Sequence, residues 1–328
     1  MRERVQLILL EEADAEFELG VVGALLASRS PAGAVVVASL AGEVAALGRF
    51  QPRRRTGHAR EARRLTGGRS TFYGDGILTL SAVVSPSQPW LDEGEELSGP
   101  RLLNRYVRGL LTGLGNWGLS AAYPGRDFVT VGGRRLAYVT LERTDSGVLL
   151  FQAVLGSGRT YLAGDPDPHF PGLPPVPEAT WIERERGKRG ALRELAAGYA
   201  ARFSLDLGEV PAPPPTAPLP LDLGLPPHAS GAVPIPIGEL EAHLELATDG
   251  TLARLRFAGD WIASSAEVAM LEQALVGKPP ESRLLRDVID RWLGLPGNLT
   301  IGVVSSQPLV DAISSAAERA RVAGSRSG

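Results

Sequence analysis

The sequence predicts an α+β fold, a mixed and mostly antiparallel sheet domain followed by a second, smaller α+β domain. Three observations carry this. Strand-length apolar runs and helical stretches alternate without strict βαβ order. A proline-rich stretch, "GEVPAPPPTAPLPLDLGLPPHASGAVPIP" from Gly208 to Pro236, divides the chain, because proline fixes φ and removes a donor and so favours an extended tether over paired structure. Beyond it, an alternating segment with an Asp-Gly turn reads as a hairpin leading into helices. The expected boundaries are 1–205, a linker at 206–236, and 237–328.

In the first part, "VQLILL" at Val5, "GAVVVASL" at Gly33, "ILTLSAVV" at Ile77, "RLAYVTLE" at Arg135 and "GVLLFQAVL" at Gly147 read as strands. Between them, "AEFELGVVGALLA" at Ala15 and "RLLNRYVRGLLTGLG" at Arg101 place apolar residues three and four apart and read as helices. "GALRELAAGYAARF" at Gly190 is the last helix of this part. After the tether, Leu240, Ala242, Leu244 and Leu246 alternate with polar residues, Asp249-Gly250 supplies the turn, and Leu252, Leu255 and Phe257 resume on the returning strand. Helices are expected around Ser265 to Leu275, Glu281 to Leu293 and Pro308 to Arg321, and the closing "GSRSG" is expected to lack order.

Composition narrows the chemistry. With 44% apolar and 22% charged residues among 328, the chain can bury a sizeable core. A net charge of −3 leaves any nucleic-acid role to a local patch, and the dense "RRRTGHAREARRLTGGR" from Arg53 has neither interleaved aromatics nor a helix-turn-helix around it. No nucleic-acid partner is expected. There is no cysteine, which removes disulfides, thiolate metal sites and a cysteine nucleophile. The opening "MRERVQLILLEEADAEF" is too short in apolar residues for a signal segment, and no run would span a bilayer, so a cytoplasmic protein without a membrane partner is expected. His58, His169, His228 and His243 are scattered, and no metal-ligating set emerges. There is no Gly-x-Ser-x-Gly elbow.

The basic turn "RRLTGGR", Arg63 to Arg69, stands directly before an apolar run. Bare glycine backbone beside guanidinium forks is suited to an anion such as a phosphate or carboxylate. It does not stand alone. "LGRFQ" (Leu47 to Gln51) precedes it, and "GRDFVTVGGRRLAY" follows some sixty residues later. In this order and spacing, the segments resemble the catalytic domain of the lipoate-protein ligase A family and its octanoyltransferase relatives. "GELEAHLEL", "DGTLARLRFAGDW", "AMLEQALVGK" and "GNLT" resemble the accessory domain that completes lipoate ligases.

The resemblance implies a sheet domain of the biotin/lipoate ligase type. It also implies ATP-dependent activation of lipoic or octanoic acid, with magnesium, to acyl-AMP, and transfer to a lysine of a lipoyl carrier domain. It makes Arg63, Arg64, Thr66, Gly67, Gly68 and Arg69 the expected lining of the acyl-adenylate pocket, with Asp127, Gly133 and Arg134 nearby. Where the family carries its catalytic lysine, this chain has Arg135. The chain's only lysines are Lys188 and Lys278. Arginine keeps the positive charge but not the compact ammonium geometry. Other departures are "VVGALL" (Val21 to Leu26) in place of an Ala-x-Asp-Glu, Phe72-Tyr73-Gly74 in place of a His-Asp after the glycines, and no tryptophan in "VVVASLAGEVAALGRF". The alternative expectation is a relative that binds lipoate, an acyl-adenylate or a lipoyl domain without turnover. A transferase working through a cysteine is excluded by composition.

Overall fold

The computed structural model describes residues 3–28, 33–53, 60–87, 90, 98–164, 170–227 and 229–325. His58, His169 and His228, the basic run at 54–59 and the tail beyond 325 lie outside the described residues. The first unit contains β1 (Glu3–Asp14), α1 (Ala15–Ser28), β2 (Ala34–Ala41), β3 (Glu43–Leu47), β4 (Glu61–Arg63), β5 (Thr71–Gly74), β6 (Ile77–Val84) and α2 (Gly99–Asn116). It continues through β7 (Ala121–Ala122), β8 (Phe128–Val131), β9 (Arg134–Arg143), β10 (Leu149–Gly156), α3 (Ile182–Arg186), α4 (Leu192–Arg202) and β11 (Leu205–Glu209). The second contains β12 (Ala229–Ile235), β13 (Gly238–Leu246), β14 (Leu252–Gly259), β15 (Ile262–Ala263), α5 (Ser265–Leu275), α6 (Ser282–Leu293), β16 (Thr300–Ile301) and α7 (Gln307–Ser325).

The large sheet runs β11-β1-β2-β6-β10-β9-β8-β7. Its β11·β1 and β1·β2 pairs are parallel and the others antiparallel. The strands are apolar on both faces because both are covered. Val5, Leu7, Val35 and Val37 pack with α2 and α4 through Leu103, Tyr106, Leu110, Leu195 and Tyr199. Alternate residues Ile8, Leu10, Val36 and Ala38 pack on the other side with Leu19, Val22 and Leu25 of α1 and with a small sheet, β4-β3-β5. Every residue of β6 is therefore buried, as its unbroken apolar run requires.

The second unit has the expected hairpin, β13 against β14, with β12 added as an edge strand. Here the structure differs from the sequence expectation. Leu205–Glu209 pairs with β1, and Ala229–Ile235 pairs with β13, so the stretch taken as tether from 206 to 236 contributes a strand at each end. Pro234 is accommodated because β12 is an edge, where a missing donor faces no partner. What lies between is extended but packed. Thr216 donates from its backbone N–H to the Gly20 carbonyl at 3.0 Å. A Cβ on Gly20 would come within 2.7 Å of Pro215 Cβ, and one on Gly23 within 2.5 Å of Thr216 Oγ1. The two glycines of α1 thus let the tether lie against the helix, which is why "AEFELGVVGALLA" carries apolar residues on more than one face.

The units also meet directly. Gly259 donates to the Phe50 carbonyl at 2.9 Å, and Gly99 to that of Asn298 at 3.0 Å. Ser265 donates to Glu142 Oε1 from both N–H (2.9 Å) and hydroxyl (2.7 Å). Burial pushes the Glu142 carboxyl up to about 7. Among the described residues, no helix is long and apolar enough to cross a membrane.

Candidate functional site

"LGRFQ" and "RRLTGG" are one structural unit. Arg64 N–H donates to the Leu47 carbonyl and Arg49 N–H to that of Thr66, each at 2.8 Å. Gly48 and Gly68 are in backbone contact, since a Cβ on Gly48 would fall 1.7 Å from the Gly68 carbonyl oxygen. Gly68 has φ +92, which favours glycine, and a Cβ there would meet Tyr138 Oη at 1.5 Å. The turn is anchored on the sheet by Thr66, which donates to Gln152 Oε1 at 3.0 Å, and by Thr140, which donates to the Gly67 carbonyl at 3.2 Å.

Beyond this turn lies a cavity of about 10 Å³ lined by Arg69, Arg126, Asp127, Arg135, Tyr138 and Tyr161 among others. Its volume holds about one water, against the ~300 Å³ or more of small-molecule pockets. Asp127 precedes β8 and accepts through its carbonyl from Val139 N–H at 2.9 Å. Arg135, on β9, is held by its backbone to Glu178 (2.7 Å) and Thr180 (2.8 Å). Three guanidiniums thus surround one carboxylate. Burial pushes the Asp127 carboxyl up, and Arg69, Arg126 and Arg135 oppose that rise. Burial likewise pushes the Tyr138 phenol up to about 12.

Of the residues singled out from sequence, Arg69, Asp127 and Arg135 share this cavity. Arg64, Thr66, Gly67 and Gly68 lie behind or beside it as its support. Gly68, expected in the pocket lining, donates its N–H to the Trp261 carbonyl of the second unit at 2.8 Å. Arg63, expected in the pocket lining, turns toward the tether. Its Nη1 donates to the carbonyls of Gly48 and Gln51 at 2.7 Å, its Nε to Pro220 at 2.9 Å and its Nη2 to Leu221. Proline-rich backbone carries carbonyls without ladder partners, and a guanidinium with five donors gathers them. Gly132 (φ +56) and Gly133 (φ +76) form the two-residue turn between β8 and β9, a geometry that demands positive φ at both positions. Arg134 pairs with Glu185 at 2.7 Å, and neither it nor Gly133 lines the cavity.

Arg126, Tyr138 and Tyr161 also line the cavity but were not singled out. Arg126 adjoins Asp127 in "GRDF", and Tyr138 stands three residues after Arg135, so proximity to the motif was the available signal. Among the described residues, no group of three His, Cys, Asp or Glu side chains is arranged to hold a metal. His243 is paired with Glu241 at 2.9 Å.

No family model matches the chain, and no curated protein matches it. Solved structures do. A bipartite lipoate protein ligase from Thermoplasma acidophilum, described with its E2 lipoyl domain, is 15% identical with a TM-score of 0.48, covering 64% of this chain and 88% of that one. An ATP-bound lipoate-protein ligase A is 15% identical with a TM-score of 0.49, covering 63% and 89%. P. falciparum LipL1 in complex with lipoate is 11% identical with a TM-score of 0.58, covering 82% of this chain and 88% of that chain. At that identity the likeness is one of architecture, and the chain has the mixed α+β fold of a lipoate-protein ligase.

Proposed function

We propose that the chain activates a carboxylic acid with ATP to an acyl-adenylate and passes the acyl group to a lysine of a lipoyl carrier domain. Lipoate or octanoate are the acids that the resemblance implies. One observation carries the reading: Arg69, Arg126 and Arg135 converge with a single carboxylate, Asp127, on one enclosed cavity. A carboxylate and an α-phosphate repel each other as they react. Fixed cations in a site that excludes water offset that repulsion and hold the pair in line. Arg135 stands where the resemblance puts a lysine, and its role is electrostatic. Arg69 comes from the basic turn and Arg126 from the bend before β8, so the charge is supplied from separate segments. One carboxylate among three guanidiniums does not fit a protein-held magnesium, and no step is assigned to one.

A second reading has its own support. That reading is a relative that binds lipoate, an acyl-adenylate or a lipoyl domain without turnover, and it is supported by the Gly68 N–H, which is given to the Trp261 carbonyl and not left for an oxyanion. Pyrophosphate exchange from ATP with lipoate, octanoate and biotin in turn separates the two. The proposal expects slow exchange with lipoate or octanoate, raised on the order of 10²-fold in Arg135→Lys. Brisk wild-type exchange that drops in Arg135→Lys means a ligase rebuilt around arginine. Silence from both proteins rejects turnover.

A further inference from the structure

A face of the second unit, where α5 and α6 lie side by side, is left uncovered. Among the described residues, eight large apolar side chains are exposed, and four of them, Met270, Val276, Leu284 and Leu295, lie on or beside these two helices. Between the helices runs an open groove of about 330 Å³. Met270 and Ala274 of α5 line it with Val288 and Leu295, and the buried Leu271 and Trp292 complete the apolar lining. Met270 and Ala274 are four residues apart, and Leu284, Val288 and Arg291 are four and three apart, so each helix turns one stripe to this side. The walls are fixed to each other, because Trp292 Nε1 donates to the Glu267 carbonyl of α5 at 2.9 Å.

The charged residues that line the groove, Lys278 and Arg291, are both cations. Lys278 stands in the connection before α6 and Arg291 in that helix's last turn, toward opposite ends of a 12-residue helix about 18 Å long. Neither is in an ion pair among the described residues, and Arg291 Nε donates only to the Asp287 carbonyl at 2.9 Å. The acids of α6, Asp287 and Asp290, do not line the groove. A preformed apolar groove between two helices fits the ridge of an added helix, and unpaired cations toward its ends favour carboxylates there. We propose that this groove docks an amphipathic helix of a partner protein, apolar along the contact and acidic toward both ends. A second copy presenting the same face would bring cations to cations, so the occupant is a different protein. The surface is separate from the arginine cavity, none of whose lining comes from α5 or α6.

Fluorescence anisotropy on the full chain at low salt tests this with two labelled helical peptides of about 15 residues. Both carry a leucine stripe; one has glutamates toward its ends and the other lysines at the same positions. The glutamate peptide is expected to bind roughly tenfold tighter. Lys278→Glu with Arg291→Glu should reverse that preference, while the uncharged pair Met270→Gln with Leu295→Gln should weaken the glutamate peptide roughly tenfold. None of the four residues is buried, so the variants should fold, and their melting temperatures check this. Equal binding of the two peptides, a preference that survives the charge reversal, or no binding of either overturns the proposal. So does self-association of the wild type in sedimentation equilibrium that Met270→Gln with Leu295→Gln abolishes, because the groove would then hold a second copy.

Discussion

Glu18 offers a quantitative test of the packing between α1 and the sheet. Its carboxyl is wholly buried, accepts from Thr79, and is pushed from an ordinary 4.5 to about 7 by desolvation. Because the folded state holds the proton more tightly than the unfolded chain, Glu18 costs stability as pH rises from about 4.5 to about 7, and the cost stays in full above that. At about 1.4 kcal/mol per pH unit, the full cost is about 3 kcal/mol. By pH 5 a small part of it is already present. Glu18→Gln keeps the shape and the acceptor for Thr79 while removing the titration. Urea unfolding of both proteins at pH 5 and pH 8 should therefore show the variant gaining about 2.5 kcal/mol more at pH 8 than at pH 5. An equal effect at the two pH values would mean that Glu18 ionises as it does in the unfolded chain, and that α1 does not seal it.

Other expectations follow from the turn and the tether. Gly68→Ala should cost about 3 kcal/mol or more, since its Cβ would overlap Tyr138 Oη at 1.5 Å and its φ of +92 disfavours alanine. Adding Tyr138→Phe should restore only the steric part in a thermal melt, and complete restoration would mean that the backbone is not held at positive φ. Arg63→Met strips donors from the carbonyls of Gly48, Gln51, Pro220 and Leu221. It should lower stability by about 1–3 kcal/mol and speed thermolysin cleavage between Val210 and Pro227. An unchanged cleavage rate would show that Arg63 does not fasten the tether.

The sequence made the large elements legible for a physical reason. β6 and β10 are buried on both faces, so their apolar runs are uninterrupted, and α2 buries one face and shows its period. β4 and β5 are three and four residues long, too short for periodicity to distinguish from loop. Their pairing depends on β3, whose partners are distant in sequence. The tether was legible as extended, but its strand ends were not, because edge pairing at β12 tolerates the very proline that argued against it. Part of the cavity lining was legible, in that Arg69 of the basic turn, Asp127 and Arg135 were singled out and share it. Which arginine faces the cavity was not. Consecutive residues of an irregular turn have no period, and only the third dimension decides that Arg63 meets the tether, Arg64 the Tyr138 ring and Arg69 the cavity. Glu18 is a different case: of the two acids of α1, Glu16 is exposed and Glu18 is buried, on a helix covered on one side by the sheet and on the other by the tether.

The central claim is that the Arg69–Asp127–Arg135 cluster meets the charged centre of an acyl-adenylate. The most direct measurement is a calorimetric titration of non-hydrolysable sulfamoyl-adenosine analogues bearing acetyl, lipoyl and octanoyl groups into the wild type, Arg135→Ala and Arg134→Ala. The account predicts that at least one analogue binds. Arg135→Ala should weaken that binding by about 1.5–3 kcal/mol, the range for a hydrogen bond to a charged group. Arg134, held by Glu185 away from the cavity, should be replaceable with little change. No binding of any analogue, or equal losses at the two arginines, would contradict it.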